Sequence, residues 1–179
     1  EDIYGPFEAG FDSKQKSIME GLGCSSSKAA TVRVQGGIDT QTAEKMIAHH
    51  CGIELPRLDS GEYKSLLDRC GGHTPEYHYH EKLVCLYNAT ATGHSTQVGK
   101  TTASNQLIYG KYEDTGTTPK LDACGGHFGV TPDSDGKMVY HYHTQDRPPF
   151  TVGCIGPTDD NQMVTVSDCR GYYTGCGDN

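Results

Sequence analysis

The stretch that decides the fold is LDACGGHFGVTPDSDGKMVYHYH at residues 121–143, together with its shorter counterpart LDRCGGHTPEYHYH at residues 67–80. Both begin with Leu-Asp-x-Cys-Gly-Gly-His and end with Tyr-His-Tyr-His, which we interpret as a duplication of one unit, here called the cassette. Three residues separate the two motifs in the first cassette and twelve in the second. The additional residues include Pro132-Asp133-Ser134-Asp135-Gly136, whose turn-forming composition predicts a longer hairpin in the second cassette.

The histidines of each Tyr-His-Tyr-His motif are predicted to share one face of a strand, because alternate strand residues point the same way. The tyrosines then occupy the opposite face. Two histidines on one face can reach a single ion, and the histidine after the Gly-Gly turn can supply a third nitrogen. The predicted metal ligands are His73, His78, His80, His127, His141 and His143.

The chemistry of these ligands favours copper or zinc, since the cysteines are expected to be oxidised and to offer no thiolate. Asp68 and Asp122 are candidates for holding a histidine ring in place through a hydrogen bond. The six histidines could form two separate metal sites or one shared site. They could also form a structural hydrogen-bond network without metal. His49 and His50 are adjacent near a helix end, where interaction with the helix dipole is the expected role.

The eight cysteines predict up to four disulfides, because their number is even and none forms a Cys-x-x-Cys pair. Each cassette is followed by a cysteine, Cys85 or Cys154, that could close it by pairing with Cys70 or Cys124. The sequence does not choose among the roughly 105 pairings that eight cysteines allow. The residues expected to form disulfides are Cys24, Cys51, Cys70, Cys85, Cys124, Cys154, Cys169 and Cys176.

The expected location is outside the cell. Such cysteine usage is typical of oxidising compartments, and Asn88-Ala89-Thr90 is a potential N-glycosylation site. The chain begins at Glu1 without a basic and apolar leader, and no apolar run approaches the roughly 18 residues of a membrane span. We therefore expect a mature, secreted protein. The net charge of -8 makes nucleic acid an unfavourable partner and cations favourable ones.

The flanking segments predict helices before the cassettes. Ala43, Met46, Ile47 and Cys51 follow helical spacing, with Asp39 or Thr40 as the cap and Gly52 as the end. A second helix is predicted from a capping box at Asp59 and Glu62, through Tyr63, Leu66, Leu67 and Cys70, to Gly71-Gly72. Thr118-Pro119 predicts a further short helix start, and the tail from Gly156 a surface loop.

The expected fold is α+β: a small disulfide-rich domain with N-terminal helices and a β-rich duplicated cassette. We expect one domain over residues 1–179. It divides into an N-terminal helical extension at 1–60, the duplicated region at 66–156 and a disulfide-tethered tail at 157–179.

The motifs resemble those of the YHYH domain family over roughly residues 66–156, which is about half of the chain. The resemblance implies an extracellular or envelope location and no established reaction. Family members usually carry Asp-Gly-Phe-Pro before Ile-Tyr-Gly, whereas this chain has residues 103–107, Ala-Ser-Asn-Gln-Leu. The similar motifs are His94-Ser95, Ile108-Tyr109-Gly110, Leu121-Asp122-x-Cys124-x-Gly126-His127, Tyr140-His141-Tyr142-His143 and Pro149-Phe150-Thr151-Val152-Gly153-Cys154.

Two functions are compatible with the sequence. The first is a secreted metal-binding protein, with metalloenzyme activity left open. The second is a non-enzymatic extracellular module that binds matrix or glycan and uses its histidines structurally. A hydrolase with His73 or His127 as general base is the least supported, because no nucleophile or oxyanion motif is present.

Overall fold

The computed structural model describes residues 20–24, 40–65, 67–73, 77–90, 92–147 and 149–171. These residues form a small, disulfide-rich α+β structure, as predicted. Among them, no helix combines the length and apolar character needed to cross a membrane. The elements are α1 (Thr40–Cys51), β1 (Gly72–His73), β2 (His78–Tyr79), β3 (Gln97–Lys100), β4 (Leu107–Tyr109), β5 (Gly126–Val130), β6 (Met138–His143) and α2 (Val166–Arg170).

The second cassette supplies β5, an edge strand, and β6, a central strand, to a four-stranded sheet in the order β3-β4-β6-β5. Strands β5 and β6 pair antiparallel as the predicted long hairpin, with His127 opposite His141. Asp135 and Gly136 take positive φ angles of 51° and 75° in its connection, which suits the turn signal in the sequence. Strand β4 lies parallel to β6, so Tyr109 is placed opposite His143.

The first cassette forms its own two-stranded sheet from β1 and β2. His73 lies opposite His78, the same register that the second cassette shows between His127 and His141. The two cassettes therefore place equivalent histidines side by side although their connections differ in length.

The core lies on the tyrosine face of the second cassette. Tyr140 and Tyr142 are buried there, with their rings 5.3 Å apart at a right angle. Because this face packs inward, the alternation of β6 sends the histidines to the other side of the strand. The buried residues packed in this cluster are Ile108, Cys124, Tyr140, Tyr142, Val164 and Cys169.

Each cassette is closed by a disulfide. Cys70 is bonded to Cys85 and Cys124 to Cys154, the pairing that joins each Gly-Gly turn to the cysteine after its strand. A further disulfide links Cys24 to Cys51 at the end of α1. Cys169 is also disulfide-bonded, and Cys176 lies outside the described residues.

The first predicted helix is confirmed as α1, and Gly52 follows it at a φ of +67°. Asp39, the alternative cap, lies outside the described residues. Ile47 and Cys51 are buried as the spacing predicts, whereas Met46 is exposed.

The prediction of a second helix starting at Asp59 is wrong. The chain instead turns back on itself, with Arg57 bridged to Tyr63. The backbone N–H of Leu58 donates to the carbonyl of Glu62 at 2.9 Å, and Gly61 takes a positive φ of 85° that no α-helix accommodates. Leu66, on the predicted face, lies outside the described residues.

Two smaller expectations are also corrected. The segment after Thr118-Pro119 is not helical, since helical hydrogen bonds do not start there and Asp122 instead bonds to Gly126 in the turn. The tail contains the short helix α2, which a capping box between Thr165 and Asp168 starts.

Candidate metal centre

The second cassette brings histidine ring nitrogens together at one place, here called the second cluster. The Nε2 atom of His141 lies 3.0 Å from the Nε2 atoms of both His127 and His143. A ring nitrogen of His94 also lies within 4.8 Å of ring nitrogens of His141 and His143, so these three residues could hold a metal ion. The loop before β3 thus adds a histidine that lies far away in sequence.

Hydrogen bonds at the Nδ1 atoms of His141 and His143 fix the orientation and the tautomer of these two rings. The Nδ1 atom of His143 lies 2.6 Å from the Gly110 carbonyl, and that of His141 lies 3.0 Å from the Val139 carbonyl. A carbonyl oxygen only accepts, so each Nδ1 carries the hydrogen. A neutral ring then has a bare lone pair at Nε2, which is the atom that binds metal.

Burial keeps these rings neutral. It lowers the pKa of His141 to about 4 and that of His143 to about 3, and the other histidines of the cluster add to the effect. Burial also lowers the pKa of His127. At neutral pH, protons therefore do not occupy the space between the Nε2 atoms of His141 and His143, whose lone pairs face each other at 3.0 Å.

A metal ion fits this arrangement. Two nitrogens bound to one tetrahedral ion at 2.0–2.1 Å would be separated by about 3.3 Å. The observed 3.0 Å between the Nε2 atoms of His141 and His143 needs only a few tenths of an ångström of adjustment. The geometry therefore suits an imidazole-bound cation.

His94 is the residue that reasoning from the cassettes missed. Its Nδ1 atom lies 2.8 Å from the Ser95 carbonyl, and its Nε2 atom is buried without a hydrogen-bond partner in the described structure. The His94 ring stands edge-on to Tyr109 at 4.7 Å. A buried, unsatisfied nitrogen is costly unless a ligand reaches it. The only sequence signal was its place in the motif series that resembles the YHYH family.

The first cassette gathers His73, His78 and His80 into a first cluster that could also hold a metal ion. The Nε2 atom of His80 lies 2.9 Å from that of His73 and 3.1 Å from that of His78. His73 is buried, whereas the other two are partly exposed. The first cluster is therefore more open to solvent than the second.

The two aspartates have a different role from the one predicted. Asp122 accepts the backbone N–H groups of Cys124 and Gly126 and the hydroxyl of Tyr140. Asp68 makes the equivalent contacts in the first cassette, and the hydrogen bond from Tyr77 lowers the pKa of its carboxyl. These carboxylates brace the Gly-Gly turns and the tyrosine face, which leaves their oxygens engaged away from the histidine rings.

Other predicted positions lie on the surface. Asn88 is exposed in a turn, where its side-chain oxygen accepts the hydroxyl and the backbone N–H of Thr90. His49 and His50 are exposed in the last turn of α1 and belong to neither cluster.

Comparison of the chain with protein-family models, with curated proteins and with solved structures finds no match in any of the three.

Proposed function

We propose that this protein is a secreted metal-binding protein that holds copper or zinc through histidine nitrogens of its two clusters. The observation that carries the proposal is the pair of Nε2 lone pairs of His141 and His143, facing each other at 3.0 Å. The hydrogen bonds at Nδ1 exclude a hydrogen bond between these Nε2 atoms, so a cation between them relieves the repulsion.

The ligand set of the second cluster is His94, His141 and His143 in this proposal. His94 takes the third position that the sequence assigns to His127, because its buried Nε2 atom has no other partner in the described structure. His127 lies beside this set, and its Nε2 atom is 3.8 Å from the Oε1 atom of Glu113. In the first cluster the set is His73, His78 and His80, as predicted from the sequence.

Nitrogen ligands support Zn(II) or Cu(II) rather than ions that prefer oxygen. The disulfides support an oxidising, extracellular location. Membership of the YHYH family and a glycan at Asn88 are part of the same proposal, since both agree with that location.

Metal binding is tested by isothermal titration of the chelator-treated full chain with Zn(II) and with Cu(II). We expect two binding events. His141→Ala with His143→Ala should remove the event of the second cluster, and His78→Ala with His80→Ala that of the first. His94→Ala should weaken the second-cluster event at least 10-fold, because it removes one of three ligands.

His49→Ala is the matched control, because it removes an exposed histidine that lies outside both clusters. It should leave both events unchanged. Equal binding by the wild type and by the His141→Ala, His143→Ala variant would contradict the assignment of the second cluster. Circular dichroism of each variant establishes that a lost event reflects lost ligands in a folded chain.

A further inference from the structure

The second cluster also holds a carboxylate. The Oε1 atom of Glu113 lies 3.8 Å from the Nε2 atom of His127. The Glu113 side chain is 37% exposed, so it joins the cluster to solvent. Its backbone N–H donates to the Thr117 carbonyl at 3.0 Å, which fixes the loop that carries it.

Gly129 allows this approach. A methyl group at Gly129 would lie 2.8 Å from the Oε1 atom of Glu113, 2.9 Å from His127 and 3.1 Å from His141. The first two distances are shorter than real contacts of a methyl group and the third is tighter than most, so a larger residue here would displace the carboxylate or a ring. Glu113 and the proposed ligand His141 therefore lie on the same side of Gly129.

We propose that the second cluster is a hydrolytic centre in which Glu113 is the general base. This inference rests on the proposed function, because it needs an ion bound by His94, His141 and His143. Three nitrogen ligands leave a fourth coordination position for water, as in catalytic zinc sites. Glu113, whose Oε1 atom contacts the edge of the cluster at His127, is the carboxylate that we assign to accept the proton of that water.

The reaction balances without an oxidant or a reductant. Glu113 takes a proton from the water while the water oxygen forms a bond to the carbonyl carbon of an ester. The bond between that carbon and the leaving oxygen then breaks, and the leaving oxygen takes the proton from Glu113. The substrate class is a small, uncharged carboxylic ester, because Glu113 and the net charge of -8 disfavour an anion.

The test uses the full chain, freed of metal, reloaded with two equivalents of Zn(II) so that both clusters are filled, and assayed with p-nitrophenyl acetate. We expect zinc-dependent turnover above that of the His141→Ala, His143→Ala variant, which measures the background reaction of other histidines. Glu113→Gln should lower the zinc-dependent kcat at least 100-fold while the zinc affinity stays within about twofold. Glu54→Gln, at an exposed position, is the matched control and should leave kcat unchanged.

Gly129→Ala is the second variant, because its methyl group crowds Glu113, His127 and His141 without removing any of them, and it should also lower kcat. An unchanged kcat in folded Glu113→Gln would overturn the role of Glu113. If Glu113→Gln lost as much zinc affinity as the His141→Ala, His143→Ala variant, Glu113 would be a ligand, and its role as general base would also be overturned. Zinc binding without zinc-dependent turnover would refute the hydrolytic centre alone, whereas absence of binding at the second cluster would refute the proposed function as well.

Discussion

The second glycine of each Gly-Gly turn packs so closely against the cassette strand that a side chain there has no room. A methyl group at Gly126 would lie 2.4 Å from the hydroxyl of Tyr140, and one at Gly72 would lie 2.6 Å from the carbonyl of His78. These glycines let the turn approach the strand that carries the histidines. The tyrosine face and the histidine face of each cassette therefore depend on the same small residue.

Gly126→Ala should lower the free energy of unfolding by about 1 to 3 kcal/mol, because Tyr140 is buried and must shift. Gly99→Ala is the matched control, since its added methyl group would meet only Ile108 at 3.9 Å. Urea unfolding followed by circular dichroism measures both. Equal midpoints for the two variants would show that Tyr140 adjusts freely.

The histidines of the cassettes could be predicted from the sequence because period two is a local property. The Tyr-His-Tyr-His alternation alone places the histidines on one face and the tyrosines on the other. It does not decide which face is buried, since Tyr140 and Tyr142 are buried whereas Tyr77 is exposed. His94 could not be predicted in this way, because it lies outside both cassettes and meets His141 only through the packing of the loop before β3. Glu113 was missed for the same reason.

The Gly-Gly turns of the two cassettes differ in the hydrogen bonds that their aspartates, Asp68 and Asp122, accept. Asp122 accepts a fourth hydrogen bond, from the backbone N–H of Val164 at 2.9 Å, which ties the second cassette to the segment before α2. Asp68 is exposed and has only the local contacts. The second turn is therefore a tertiary connection, whereas the first is a local one.

Asp122→Ala should lower the free energy of unfolding by about 3 kcal/mol, because it leaves partly buried N–H and O–H donors without an acceptor. Asp68→Ala should cost about 1 kcal/mol, because water can replace an exposed acceptor. The comparison by urea unfolding needs no other control, since the two residues make equivalent turn contacts. A larger loss for Asp68→Ala would contradict the tertiary role of Asp122.

The predicted helix at residues 59–70 shows why elements outside the cassettes were harder to predict. Asp59 and Glu62 have the spacing of a capping box, yet the side chain of Glu62 bonds with Ser60 inside a tight turn. Gly61, which lies between them, destabilises a helix and favours a turn. The bridge between Arg57 and Tyr63 then stabilises the turn rather than the helix. In α1 the helical periodicity of the sequence agrees with the observed helix.

At the scale of the whole molecule, the buried second cluster couples the stability of the fold to pH. An unfolded histidine takes up a proton near pH 6.5, whereas the folded chain keeps His141 neutral to about pH 4 and His143 to about pH 3. Between these values the unfolded state binds more protons than the folded state. The free energy of unfolding must therefore fall as the pH falls through this window.

We expect chelator-treated protein to lose on the order of 1 to 2 kcal/mol for each of these rings between pH 6.5 and 5. Carboxyl groups with lowered pKa values, such as Asp68 and Asp168, lose their contribution only below about pH 4, so they do not mask the effect. Urea unfolding at intervals from pH 7.5 to 4.5 measures the slope. The His141→Asn, His143→Asn variant should flatten it, whereas His49→Ala, at an exposed position, should not. A wild-type midpoint that stays constant or rises on acidification would show that these rings are charged in the fold. The 3.0 Å distance between their Nε2 atoms would then no longer support the proposed metal site.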